Sequence, residues 1–142
     1  MAENVPDKEK SESIFTLNYI RQVYQNQYLL TTKAIEASMD LLNDLNTTKV
    51  TLENMDSIKG HNILAPISNS SYLYGKVEAG DKIIINIGAG YMIEETVEEA
   101  KSFVSRMIEK ESKYITELSK NKGELESAIL DLNYRLEQLS NQ

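Results

Sequence analysis

The sequence predicts a mainly helical α+β protein, a long antiparallel two-helix coiled coil with two β-hairpins at one end. Three observations carry this. Two stretches, Ile14–Lys59 and Val97–Leu139, repeat apolar residues in heptads, with no Pro and a single Gly inside them. They hold 46 and 43 residues, or roughly 65–70 Å each at the helical rise. Such a match is expected of two helices that fold back on one another. Between them, Ile63–Glu94 is dense in Gly, Tyr and Ile and changes to a period of two.

Residues 1–12 are polar, alternate in charge sign and contain Pro6, so they read as a disordered tail. Residues 13–60 read as the N-terminal coiled-coil helix, starting near Ser11 or Ser13, either of which can accept from orphan first-turn N–H groups. With a and d at 14, 17, 21 and onward to 52, eight of twelve positions are Ile, Leu or Tyr, the exceptions being Arg21, Thr31, Ser38 and Lys49. A second stripe, including Ile20, Val23, Leu30 and Leu41, widens the face beyond a bare seam. Gly60 stands where a helix-ending C′ residue belongs.

Residues 61–95 form the predicted hub. Ile63–Ile67 contains Pro66, which belongs on an edge or at a bulge. Ser68–Ser71 is turn-like. Tyr72–Val77 and Lys82–Ile87 flank Glu78-Ala79-Gly80-Asp81, a hairpin signal, and Gly88-Ala89-Gly90 turns into Tyr91–Glu94. That makes four strands, or two hairpins. About thirty residues cannot close a core alone, and Ile83-Ile84-Ile85 puts apolar groups on both faces with no second layer in this chain to cover them. The hub is therefore expected to be completed by other subunits.

Residues 96–140 read as the C-terminal helix. Thr96-Val97-Glu98-Glu99 has the capping-box form. From Val97, ten of thirteen a and d positions are apolar, with Glu111, Asn121 and Arg135 the exceptions, and Ile108, Ile115, Ile129 and Leu136 stand at e. Gly123 costs about 1 kcal/mol relative to Ala, too little to break the helix. If Lys59 lies beside Val97, Asn121 falls between Thr31 and Ser38. Lys49 then falls near Glu111, and Arg21 beside Arg135.

Composition narrows the function. The net charge of −7 is spread along the chain and no segment concentrates Lys and Arg, so nucleic acid is not an expected partner. No apolar run is long enough to span a membrane, and the opening residues lack a signal-peptide core. There is no Cys, which removes disulfide and thiolate chemistry and fits the cytoplasm. His61 is the sole His, leaving no Ser–His–acid arrangement beyond one surface loop residue. Gly88-Ala89-Gly90 lacks the third Gly and the Lys of phosphate-binding loops. Glu94, Glu95, Glu98 and Glu99 are explained by the helix-start dipole. No enzyme, cofactor or metal is expected.

The motifs LAPI (Leu64–Ile67), SSYLYGKV (Ser70–Val77), IIINIGAGYMIE (Ile83–Glu94) and EEAKSF (Glu98–Phe103), set between matched arms, resemble prefoldin, also called GimC, and within it the alpha class. Two hairpins rather than one are the alpha mark. The resemblance implies hairpins that join an oligomeric β-barrel, in a hexamer of two alpha and four beta-type subunits, so with a second alpha copy, or in its eukaryotic counterpart of six different subunits. It also implies an ATP-independent holdase that binds non-native polypeptides at coiled-coil tips and delivers them to a group II chaperonin. On this reading Ile63, Leu64, Ile67, Tyr72, Tyr74, Val77, Ile83, Ile84, Ile85, Ile87, Tyr91 and Ile93 are candidate oligomer contacts.

Candidate client contacts are Ile14, Phe15, Leu17, Tyr19, Ile20, Tyr134, Leu136 and Leu139, because exposed apolar groups at a tip suit chains without fixed shape. Helix packing competes for Ile20, Val23 and Leu30, which makes Phe15, Tyr19 and Tyr134 the better candidates. The competing function is a structural coiled-coil tether or scaffold that binds one folded partner.

Overall fold

The computed structural model describes residues 5–78 and 81–142. In chain order it has α1 (Val5–Glu53), α2 (Met55–Ile58), β1 (Asn62–Ser68), β2 (Ser71–Lys76), β3 (Lys82–Gly88), β4 (Tyr91–Thr96) and α3 (Val97–Ser140). The fold is mainly helical, with two small antiparallel hairpins between long helices, as the change of period requires. Two compact units are distinguished, Met1–Asp40 with Ser112–Gln142, and Leu41–Glu111.

The helix start expected at Ser11 or Ser13 is too late, since residues 5–12 of the expected tail are helical. Pro6 falls in the first turn, where a missing N–H has no intrahelical partner to lose. Residues 1–4 of that tail lie outside the described residues. The helix expected to run to Lys59 stops at Glu53. The Asn54 side-chain amide donates to the Val50 carbonyl at 2.7 Å, the local competition with helical bonding that short polar side chains offer. A single further turn, α2, ends at Gly60 with φ +78°, the left-handed conformation expected of a C′ glycine.

All twelve a and d positions of α1 from Ile14 to Leu52 are half-buried or buried, so its heptad frame holds throughout. On α3 the frame changes. Val97, Ala100, Val104, Met107 and Glu111 are covered, but beyond them Tyr114, Asn121 and Arg135 are exposed while Ile115, Lys122, Ile129 and Leu136 are half-buried or buried. The covered series steps 107, 111, 115, 118 and then returns to heptad spacing through 122, 125, 129 and 132, a single insertion of four residues into the pattern. Asn121 and Arg135 therefore do not interrupt the seam; they stand beside it.

Within the unit of Met1–Asp40 and Ser112–Gln142 the helices pair antiparallel. Arg21 donates to Asn133 Oδ1 at 3.2 Å and to Asn18 Oδ1 at 2.8 Å, and the Lys122 ammonium lies 5.2 Å from the centre of the Tyr28 ring, within cation–π range. Arg21, expected beside Arg135, bonds Asn133 two residues before it, and Arg135 pairs with Asp131 on its own helix at 2.9 Å. Asn121 does share a groove with Thr31. Ser38, Leu132 and Leu136 are the buried residues of this unit among those described.

In the unit Leu41–Glu111, β1 pairs with β2 and β3 with β4, in two separate two-stranded sheets. Two hairpins were expected and two form, but Glu78–Asp81 does not close one of them. It joins the sheets, and Ala79 and Gly80 lie outside the described residues. The hairpin loops are Asn69-Ser70, between Ser68 and Ser71, and Ala89-Gly90, between Gly88 and Tyr91. The register slips between Pro66 and Ser68, the bulge that a strand proline calls for. Ala89 (φ 51°) and Gly90 (φ 80°) both turn left-handed, as a tight two-residue hairpin loop requires.

The core of this unit joins Leu52 of α1, Ile85 of β3 and Ala100 and Val104 of α3, with Leu45, Met55, Ile83, Ile93, Phe103 and Ile108 packed around them. The expectation that nothing in the chain covers the Ile83-Ile84-Ile85 strand is thus half wrong. The face carrying Ile83 and Ile85 rests on the chain's own helices, and the Ile84 face does not, Ile84 being 71% exposed.

Candidate functional site

Two groups of exposed apolar side chains are built by these elements, one on the hairpins and one on the helices. In the first hairpin, antiparallel pairing sets Leu64 opposite Tyr74 and Pro66 opposite Tyr72 on one face, and Ala65 opposite Leu73 on the other. No residue of β1 or β2 is buried, and Tyr74 is 91% exposed. Ile63, Leu64, Ile67, Tyr72 and Tyr74 of the candidate contacts all lie open, with Val77 half-buried. Leu73 is open as well, on the opposite face and paired with Ala65.

The second hairpin is one-sided. Ile85, opposite Ile93, is buried, Ile83 and Ile93 are half-buried, and Ile84, Ile87, Tyr91 and Met92 are open. The loop end, Ile87 to Ala89, borders a cavity of about 360 Å³ against Leu41, Phe103 and Met107.

Both hairpins are tied to helix ends. At the first, the Gly60 N–H donates to the Val77 carbonyl at 2.8 Å and the Val77 N–H to the His61 carbonyl at 3.0 Å. At the second, Thr96 and Glu99 make the predicted capping box. The Thr96 N–H and hydroxyl each donate to Glu99 Oε2 at 3.0 Å, and the Glu99 N–H donates to Thr96 Oγ1 at 3.2 Å. The bond from the Thr96 N–H, then that from its hydroxyl, holds the Glu99 carboxyl below the ordinary carboxylate range.

Asp81 is a link the sequence did not disclose. Its carbonyl accepts from the Val97 N–H at 2.9 Å, and its carboxylate accepts from Lys59 Nζ at 3.3 Å. This hydrogen bond, with a lesser share from Asp56, holds the Lys59 ammonium above its ordinary value.

On the helices, Phe15, Tyr19 and Tyr134 are 75, 63 and 62% exposed. Helical spacing puts Phe15 and Tyr19 one turn apart on the side of α1 away from the seam. Tyr134 stands one turn from Leu130, which is also exposed and which heptad counting alone passes over. The other candidates are covered: Leu136 is buried in the seam, and Ile14, Leu17, Ile20 and Leu139 are half-buried along it. Leu30 is open rather than packed. In the same unit a groove of about 580 Å³ is walled by Tyr24, Leu30, Leu125 and Ala128. Its polar lining is Gln27, Thr31, Asn121 and Glu124.

The chemistry these surfaces offer is apolar contact and hydrogen bonding. His61 is exposed. Among the described residues no three of His, Cys, Asp and Glu converge as a metal site, and no helix is long and apolar enough to cross a membrane.

Comparison with known proteins agrees with this architecture. A family model described as prefoldin subunit matches residues 24–142. Prefoldin subunit alpha from Pyrococcus horikoshii is 30% identical over 135 residues, covering 91% of this chain and 84% of that protein. Prefoldin subunit 5 from Homo sapiens is 30% identical over 113 residues, 77% of this chain and 67% of that one. Among solved structures, the cryo-EM structure of filamentous PFD from Methanocaldococcus jannaschii aligns with a TM-score of 0.69 at 24% identity, over 83% of this chain and 98% of that chain, a likeness of fold. With a family match across most of its length and two hairpins between its helices, the chain belongs to the prefoldin subunit family, in its alpha class.

Proposed function

We propose that this chaperone subunit works as part of an ATP-independent holdase. It assembles through its hairpins with beta-type subunits and a second alpha copy, as two alpha and four beta. It binds non-native polypeptides through Phe15, Tyr19 and Tyr134 at the helix ends and passes them to a group II chaperonin in the cytoplasm. No catalytic step belongs to this role.

The observation that carries the reading is the exposure of these three aromatic side chains away from a seam that has its own apolar residues. Packing of α1 on α3 does not use them, and large apolar groups left in water suit partners that bring hydrophobic segments without a fixed shape. For assembly, the support is the first hairpin. A two-stranded ribbon bare on both faces is marginal by itself, and Leu64, Tyr72 and Tyr74 are apolar surface for another subunit to cover.

The test is a combined Phe15→Ser, Tyr19→Ser, Tyr134→Ser variant in the assembled complex. Suppression of aggregation of several unrelated denatured proteins is expected to fall several-fold, with the native mass of the complex unchanged. Undiminished suppression sinks the assignment to these residues. A wild-type complex that suppresses none of those proteins favours a tether that binds one folded partner.

A further inference from the structure

We infer that the groove between α1 and α3 in the unit of Met1–Asp40 and Ser112–Gln142 is a second contact site for non-native polypeptide. Glu124 makes it select segments in which a Lys or Arg neighbours an apolar residue. The inference rests on the holdase reading and names the class of segment that would be held.

The groove is large enough for side chains, at about 580 Å³, and its lining is mixed in a way a packed seam is not. Tyr24, Leu30 and Leu125 offer apolar walls. Thr31 and Asn121 bring a hydroxyl and an amide, groups able to bond the backbone of an extended chain. Of the lining residues Glu124 alone carries a charge, so a cation beside the buried apolar group is the complement. The nearby Lys122 is engaged elsewhere, its ammonium held over the Tyr28 ring.

One wall of the groove, Leu30, borders the exposed aromatic surface. Leu30 follows Tyr19 by eleven residues, three helical turns, so both lie on one face of α1, and both are more than half exposed. The distance along the axis is roughly 16 Å, which an extended chain covers with about five residues. One short segment can therefore reach from Tyr19 into the groove.

The test uses the assembled complex and two fluorescein-labelled ten-residue peptides that differ at one central position, Leu-Phe-Lys-Leu in one and Leu-Phe-Glu-Leu in the other. At low salt the Lys peptide is expected to bind about threefold more tightly, the scale of one partly exposed charge pair. The preference should vanish in Glu124→Gln and reverse in Glu124→Lys. Equal binding of the two peptides by the wild type, or a preference that survives Glu124→Lys, overturns the inference alone. Binding of neither peptide overturns the holdase reading beneath it. The Phe15, Tyr19, Tyr134 triple Ser variant should weaken both peptides and keep their ratio; a ratio that collapses in it puts the selection at the aromatics and refutes the groove.

Discussion

The two hairpins share a plan and differ in fate. Each has two strands, a two-residue loop and a bulge just before the turn. Yet β3 lays Ile85 into the core beside Ala100 and Val104, while no residue of β1 or β2 is buried. The difference lies in how each hairpin is joined to its neighbouring helix. Strand β4 runs straight into α3 through the Thr96 cap, which delivers one strand face onto the helix. The first hairpin is held to α2 by backbone bonds at Gly60, His61 and Val77, and these fix its base without covering either face. Local sequence grammar makes a hairpin; the helix next to it decides whether the hairpin has a core.

The largest effect is expected at the first hairpin. Leu64→Ser with Tyr74→Ser should abolish assembly, read as loss of the oligomer in native mass spectrometry, with helical content by circular dichroism unchanged. Loss of helix along with the oligomer would mean that the first hairpin also carries the fold of the subunit.

At the second hairpin, Ile85→Ala should instead lower stability by about 2–5 kcal/mol, the range for emptying a buried aliphatic site. Urea unfolding at fixed protein concentration measures it. A midpoint as close to wild type as that of Tyr74→Ser would erase the distinction between the hairpins.

The smallest effect is on pH. Glu99 is held below its ordinary range by Thr96, so its contribution is present above the unfolded value of about 4.3 and is lost as pH falls through the depressed folded value. Wild type and Glu99→Gln should therefore converge in stability as pH drops below about 4. Hydrogen exchange should show the acid loosening at the start of α3 and the end of β4, with β1 and β2 unmoved. A wild-type advantage that persists at acid pH refutes the capping role of the carboxylate.

Much of the fold was legible because it rests on period and on residues with strong local rules. The heptad frame of α1, the Thr96–Glu99 cap, the left-handed Gly60 and the bulge at Pro66 all stand where the sequence puts them. What escaped depended on partners distant in sequence. Glu78–Asp81 has the composition of a hairpin turn, but the strands on either side of it choose other neighbours. Pro6 marks a break anywhere except the first turn, which is where it stands. On α3, Tyr114 and Ile115 are both apolar, so adjacent frames score alike, and only the covered series shows the step to Ile115. For the candidate surfaces, Phe15, Tyr19 and Tyr134 were separable by their distance from the seam. Leu130, Leu73 and Met92 became visible only with exposure in hand, and Asp81 only through bonds that join three elements.

Ala100 is fully buried, with 0% of its surface exposed, in the core that carries β3. A close-packed interior passes a misfit outward rather than absorbing it. A larger side chain there would lift the strand from the helix, and the open row of Ile84 and Met92 would move with it. The error would then surface as subunits that are folded and helical but no longer fit their neighbours. In this chain a methyl group in the interior is a gauge for the outside.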